Sequence, residues 1–176
     1  MKTIAQLLKE AGQSLTHSDS AKLDAEILMG HVLQKPRAYL YAWPEKVLNL
    51  SQEQAFLSLV ALRKIGQPIA YLLGEKEFWS LTLKVNPDVL IPRADTELLV
   101  EMVLKLLPEE QAEIADLGTG SGAIALALAT EKPRWRIVAT DYSHIALKLA
   151  QENAQNLQCK NVEFFQGDWC QALPRT

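Results

Sequence analysis

The chain has 176 residues, of which 48% are hydrophobic and 22% charged, and its formal net charge is −3. This composition is typical of a globular protein with one medium or two small domains, and it excludes a disordered tail. The negative net charge and the lack of a long basic run argue against direct nucleic-acid binding. No apolar stretch approaches the roughly 20 residues of a membrane span, and no signal peptide is recognisable, so we expect a cytoplasmic protein with no membrane partner.

Residues 1–75 have the pattern of a helical domain. An amphipathic helix over "IAQLLKEAG" is expected to end at Gly12, and a second begins after Asp19 or Ser20 and stops before Pro36. A short third helix follows in "PRAYLYAW". The capping-box spacing of Ser51–Gln54 predicts the start of a fourth.

Residues 76–94 are predicted to form a β-hairpin connector. In "FWSLTLKVN" apolar residues alternate with polar ones, which is the two-residue period of a half-buried strand; they are Trp79, Leu81, Leu83 and Val85. Gly74 and Asn86-Pro87 punctuate the segment, as expected for turns.

A third domain is predicted over residues 95–176, beginning with a helix that Asp95 or Thr96 caps and Pro108 stops. Its apolar positions are expected to be buried, namely Leu98, Leu99, Val103, Leu106 and Leu107. From Glu113 onward strands alternate with helices, in the order "EIADL", "GAIALALATE", "WRIVATD", "SHIALKLAQENAQNL" and "NVEFFQGD". This alternation predicts an α/β fold with a parallel, helix-covered sheet.

Three acidic residues stand at the predicted carboxyl ends of these strands, where ligands of open α/β sheets bind. They are Asp116, Asp141 and Asp168. The run "GTGSG" follows Asp116 in the chain. Its glycines at 118, 120 and 122 allow a sharp turn and a close approach of a ligand. A structural strand-to-helix turn is the plain alternative, and the spacing also satisfies a loose dinucleotide fingerprint.

Asp116 discriminates between the ligand classes. A carboxylate ahead of the loop repels a pyrophosphate but attracts an ammonium or a sulfonium, which favours S-adenosylmethionine over NAD. Asp141 suits a ribose diol in either ligand. Asp168 offers an acceptor for an exocyclic amine and Trp169 an aromatic surface for adenine, although a core role for Trp169 is an alternative.

Cysteine and histidine spacing matches no zinc or redox motif, so we predict no metal site. The residues concerned are Cys159, Cys170, His17, His31 and His144.

These features resemble the class I methyltransferases. The segment "GEKEFWSLTLKVNPDVLIPRADTELLVE", placed between a helical module and "DLGTGSGAIALALA", is similar to the segment that precedes the cofactor loop in the HemK/PrmC family of release factor glutamine methyltransferases. The resemblance covers nearly the whole chain and is weakest over the helical module. One departure is Ala94, where the family commonly has proline.

The resemblance implies a site and a reaction. Gly118, Thr119, Gly120, Ser121 and Gly122 would line S-adenosyl-L-methionine, Asp141 would hold its ribose, and Asp168 and Trp169 would border its adenine. The helical domain would help to dock a class I peptide chain release factor. The enzyme would methylate the glutamine amide of the Gly-Gly-Gln motif, which acts in translation termination, and release S-adenosyl-L-homocysteine.

The family's catalytic signature, Asn-Pro-Pro-Tyr, does not occur in the sequence, so no catalytic residue is assigned. We interpret the chain as the N-terminal portion of a longer enzyme, carrying the first half of a Rossmann-like sheet, rather than as a shortened relative with another role. We expect it to be inactive alone. We also expect low stability, because half of a parallel sheet leaves an apolar edge unpaired.

Three alternatives stay open at this point. The first is a methyltransferase for another protein or for DNA amino groups, the second a non-catalytic protein-binding module, and the third an NAD-dependent oxidoreductase. The third is disfavoured by Asp116 and by the lack of a recognisable substrate domain.

Overall fold

The computed structural model describes residues 2–107 and 110–173. The chain forms two compact units, residues 1–73 and residues 74–176, and the hairpin residues belong to the second. The three-part division at 75/76 and 94/95 stays a prediction. Among the described residues, no helix combines the length and apolar character that a membrane span requires.

The first unit consists of helices around a hydrophobic core. They are α1 (Ile4–Ser14), α2 (Ala21–Leu33), α3 (Arg37–Ala42), α4 (Leu50–Lys64) and α5 (Ile69–Leu73). The core includes Leu7, Leu28, Met29 and Phe56, none of which is exposed. The predicted N-terminal helical bundle is confirmed.

Two predicted helix boundaries are wrong. Helix α1 does not end at Gly12 but continues to Ser14, because Gly12 costs a helix only about 1 kcal/mol, which the packing of the helix outweighs. Helix α4 begins earlier than predicted, because its capping box joins Asn49 and Gln52 instead of Ser51 and Gln54. Asn caps as well as Ser does, so the two spacings were locally equivalent.

Two acidic side chains are buried in α2, and each has an arginine partner from another helix. Asp24 accepts from Arg63 Nε at 2.7 Å, from Ser18 Oγ at 2.7 Å and from Ser20 Oγ at 3.0 Å. Glu26 accepts from Arg37 Nε at 3.0 Å and from the Tyr41 hydroxyl. Burial alone would raise the pKa of each acid, but these hydrogen bonds and charges outweigh it and hold both pKa values below the usual range.

The predicted hairpin is present, but its turn lies inside the run that we predicted as one strand. Strand β1 (Glu75–Phe78) pairs antiparallel with β2 (Leu81–Lys84), and Phe78 stands opposite Leu81. Trp79 and Ser80 form the turn with φ values of 52° and 59°. Such a turn usually takes Asn or Gly, so the sequence carried no turn signal there.

Helix α6 (Glu97–Leu106) follows a 3₁₀ turn at Ala94–Thr96, and the face that it presents to the core is only partly the predicted one. Val100 is buried, and Val103, Leu104 and Leu107 pack against the same core. Leu98, Leu99 and Leu106 are instead 59%, 48% and 70% exposed. The helix has apolar residues on more than one face, so periodicity could not choose between them. Pro108, the predicted stop, lies outside the described residues.

The predicted parallel sheet is confirmed. Strands β3 (Glu113–Leu117), β4 (Arg136–Asp141) and β5 (Val162–Gln166) pair in parallel in the order β3-β4-β5. Helices α7 (Ala123–Glu131) and α8 (His144–Asn156) connect them, and a 3₁₀ turn at Trp169–Ala172 follows β5. The order brings the carboxyl ends of the strands, and the loops that follow them, to one edge.

Candidate functional site

The glycine loop between β3 and α7 is tied to the end of β4. The backbone N–H groups of Gly118 and Thr119 both donate to the carbonyl oxygen of Thr140, each at 2.8 Å. The N–H of Gly120 donates to Asp141 Oδ2 at 2.9 Å. The predicted loop and the predicted ribose acceptor therefore lie in direct contact.

The glycines of this loop meet two different needs. All three have positive φ, which is 80° at Gly118, 57° at Gly120 and 85° at Gly122. A Cβ added at Gly122 would approach the side chain of Leu126 to 3.0 Å, whereas one at Gly118 or Gly120 would meet no described atom within 4 Å. Gly122 therefore permits close packing of the helix that it caps, while the backbone before it is open to a ligand.

Asp116 lies under this loop and is held in place by it. Its Oδ2 accepts from the Thr119 hydroxyl at 2.7 Å and from the N–H of Ala125 at 3.2 Å. Burial raises the pKa of Asp116, its two hydrogen bonds oppose that rise, and the nearby charge of Asp141 adds to it. The edge thus carries two neighbouring carboxylates, and no lysine or arginine is ion-paired with either in the part of the chain that the structure describes. This field suits a cationic ligand.

Asp141 ends β4 and uses both carboxylate oxygens locally. Oδ1 accepts from the N–H of Ser143 at 2.9 Å, and Oδ2 accepts from Gly120. An ionised carboxylate has about four lone-pair sites, so it retains capacity for two hydroxyl donors. A vicinal diol is a ligand of that kind.

Asp168 and Trp169 are brought to the same edge. The N–H of the preceding Gly167 donates to the backbone carbonyl of Asp141 at 3.0 Å. Both side chains are exposed, Trp169 to 69%. The core alternative for Trp169 is therefore wrong, and its aromatic surface is free to pack against a planar ligand.

Two buried polar residues of this region were missed by the sequence reasoning. Thr140 is fully buried, and its hydroxyl has no hydrogen-bond partner among the described residues. Asn153 of α8 is 1% exposed and bonds to the carbonyl of Ser121 in the loop. A signal for Asn153 existed, because it stands on the same helical face as the apolar residues Ala146, Leu149 and Ala150.

Within residues 2–107 and 110–173, no group of three or more metal-ligating side chains lies close enough to hold an ion. Cys159 and Cys170 are free thiols, the first partly buried and the second exposed.

Comparisons with known proteins match both units of the chain. Residues 6–74 match the family described as the PrmC N-terminal domain, and residues 108–176 match a methyltransferase domain. The release factor glutamine methyltransferase of Coxiella burnetii is 56% identical over 177 residues, which is 99% of this chain and 64% of that protein. The Escherichia coli protein of the same name is 50% identical over 166 residues, 94% of this chain and 60% of the relative.

The chain thus spans less than two thirds of the length of these relatives. Among solved structures, Trm5b from Pyrococcus abyssi aligns with 54% of this chain and 28% of its own, with 21% identity and a TM-score of 0.46. That structural similarity is too limited to support an argument. The sequence identities to the curated relatives, in contrast, are 56% and 50% and extend through both units. The chain belongs to the HemK/PrmC family, whose curated relatives bear the name release factor glutamine methyltransferase.

Proposed function

We propose that this chain binds S-adenosyl-L-methionine and docks the protein substrate of a glutamine methyltransferase. The reaction is methylation of the glutamine amide in the Gly-Gly-Gln motif of class I peptide chain release factors, in the cytoplasm and in the service of translation termination. The observation that carries the proposal is the open glycine loop bonded to Asp141 beside the carboxylate of Asp116.

The residues at the sheet edge fit this cofactor. Gly118 to Gly122 leave room for its methionine and ribose side, Asp141 has acceptor capacity for the ribose diol, and Asp168 and Trp169 suit the adenine. The carboxylate of Asp116 attracts the positive charges of the ligand and disfavours a pyrophosphate. When bound, the cofactor supplies an activated methyl group and becomes S-adenosyl-L-homocysteine.

No residue of this chain is assigned to the transfer step. The Asn-Pro-Pro-Tyr sequence does not occur in residues 1–176. Methyl transfer to an amide nitrogen requires that the planar amide be oriented toward the methyl group, which is a task of positioning. We therefore propose that this chain alone binds the cofactor without transferring the methyl group.

The cofactor proposal is tested by calorimetric titration of the chain with S-adenosylmethionine, with NAD as the competing ligand class. Asp141→Asn is expected to weaken binding at least about tenfold, because hydrogen bonds to a charged group contribute about 1.5–3 kcal/mol. Asp88→Asn is the matched control, since Asp88 is an exposed carboxylate of the same unit. Binding of NAD without binding of S-adenosylmethionine would contradict the proposal.

A groove in the helical unit is the surface that we propose for the release factor. It has a volume of about 690 Å³ between α1, α2 and the α3 region, and its apolar lining includes Leu8, Leu40 and Pro44. Lys9 and Lys22 also line it and are exposed. The acid of the lining, Glu26, is already paired with Arg37. The groove therefore carries uncompensated positive charge, and we expect it to contact an acidic face of the substrate protein.

The docking proposal predicts that Lys9→Glu with Lys22→Glu weakens binding of a class I release factor about tenfold and leaves cofactor affinity unchanged. Lys64→Glu, a charge reversal on an exposed lysine of α4, is the control. An equal loss of release-factor affinity in the double variant and in the Lys64→Glu control would mean that net charge decides binding. That result would reject this groove as the docking surface. Capture of duplex DNA by the chain, without capture of the release factor, would reject the substrate class.

A further inference from the structure

Asn153 in the middle of α8 joins two segments that are distant in sequence. Its amide nitrogen Nδ2 donates to the carbonyl of Ser121 at 2.9 Å and to the carbonyl of Lys84 at 3.0 Å. Its Oδ1 accepts from the N–H of Lys84 at 2.8 Å. One buried side chain thus bonds both the cofactor loop and the hairpin, and it uses both amide hydrogens and the amide oxygen to do so.

On the hairpin side, Asn153 substitutes for a missing neighbouring strand. The N–H of Val85 donates to Gly74, so at that residue the hairpin's own pairing is satisfied. Backbone groups of successive strand residues point to opposite edges, which turns the N–H and C=O of Lys84 outward. The side-chain amide of Asn153 meets both groups and anchors this edge of the hairpin to α8.

On the loop side, Asn153 bonds to a part of the glycine loop that Asp141 does not contact. Asp141 receives the N–H of Gly120, while Asn153 donates to the next carbonyl along the chain, that of Ser121. Ser121 is 2% exposed, so its carbonyl depends on a protein donor. The conformation of the loop is thereby defined from two sides.

We propose that Asn153 is a positioning residue that fixes the cofactor loop and couples it to the hairpin. The inference rests on the proposed function, because it assigns to Asn153 the preorganisation of the loop that receives the cofactor. A side chain there must donate twice and accept once, which alanine, leucine and aspartate cannot do. Loss of the bond to the buried carbonyl of Ser121 is costly, because that carbonyl is then left without a hydrogen-bond partner.

The experiment compares Asn153→Asp and Asn153→Ala with the wild-type chain. Aspartate retains the shape and one acceptor but directs an oxygen at two carbonyl oxygens. Two matched controls lie in the same helix. Asn156→Ala removes an exposed amide, and Leu147→Ala creates a cavity at a buried position without touching these bonds.

Two quantities are measured at a temperature at which all variants are folded by circular dichroism. The first is the dissociation constant for S-adenosylmethionine, which we expect to rise about tenfold in both Asn153 variants and less than twofold in the controls. The second is hydrogen exchange at the Lys84 amide, which we expect to accelerate at least tenfold in Asn153→Ala and to stay unchanged in Asn156→Ala.

The outcomes separate this inference from the proposed function. A wild-type chain that does not bind S-adenosylmethionine refutes the proposed cofactor site, and the link between α8 and the hairpin is then decided by exchange alone. Unchanged exchange at Lys84 overturns the link. An equal loss of affinity in Leu147→Ala and Asn153→Asp overturns the positioning role, because general destabilisation then explains the effect.

Discussion

The helical unit and the sheet edge both hold acidic side chains away from water, but in different surroundings. In the helical unit, Asp24 is bonded to Arg63 and Glu26 to Arg37, and the pKa values of both acids are lowered. At the sheet edge, Asp116 is held by a hydroxyl and a backbone N–H, and burial raises its pKa. An acid matched by a protein cation belongs to the fold, whereas an acid left without one is available to a cationic ligand.

The contrast also sets opposite responses to pH. A lowered folded-state pKa adds stability above the unfolded pKa of about 4, and this stability is lost as pH falls through the folded-state pKa. The raised pKa of Asp116 has the opposite effect. Once the pH exceeds the pKa of this carboxyl in the unfolded chain, its ionisation lowers the stability of the folded state. The helical unit is therefore stabilised by ionising its acids, while ionisation of Asp116 has a cost in the free protein.

The largest effect should come from breaking a matched pair. Arg63→Leu removes the cation from Asp24, whose side chain is 6% exposed, and should lower the free energy of unfolding by about 3 kcal/mol. Arg134→Leu, whose partner Glu110 is 82% exposed, should cost less than about 1 kcal/mol. Urea denaturation monitored by circular dichroism measures both, and similar losses would mean that burial does not distinguish the pairs.

Substitution of a glycine by alanine should change the stability less, and with opposite sign in the two regions. Gly122→Ala places a side chain at φ 85° and 3.0 Å from Leu126, so we expect a loss of about 1–2 kcal/mol. Gly12→Ala lies inside α1, where an added Cβ meets no described atom within 4 Å, and should raise stability by up to about 1 kcal/mol. Thermal melting of the two variants should therefore shift in opposite directions.

The last effect, a change in affinity of at most about tenfold per pH unit, concerns the unmatched acid. A bound ammonium or sulfonium favours the ionised form of Asp116 and lowers its raised pKa, so cofactor affinity should increase with pH until that carboxyl is fully ionised. Because burial raises the pKa of Asp116 in the free protein, the increase in affinity should continue above the pH of about 4 at which an ordinary aspartate titrates. In Asp116→Asn this part of the pH profile should be missing. Identical profiles in the two proteins would remove Asp116 from cofactor recognition.

Much of the fold followed from local patterns. The alternation of strands and helices after Glu113 predicted the parallel sheet, and the strand ends predicted the edge at which Asp116, Asp141 and Asp168 lie. Failures came where two local solutions were equally good, as with the capping box of α4 and the apolar faces of α6. The turn at Trp79 and Ser80 was missed because neither residue is typical of that conformation.

By itself, the sequence determined the periodicities, the position of the glycine loop and the alternation of strands with helices, because these depend on residues within a turn or a strand of one another. The tertiary structure decided which polar groups became partners. Asp24 meets Arg63 across 39 residues, and Asn153 meets Lys84 across 69. A buried donor or acceptor must find a partner wherever the folded backbone brings one, and no local pattern encodes that distance.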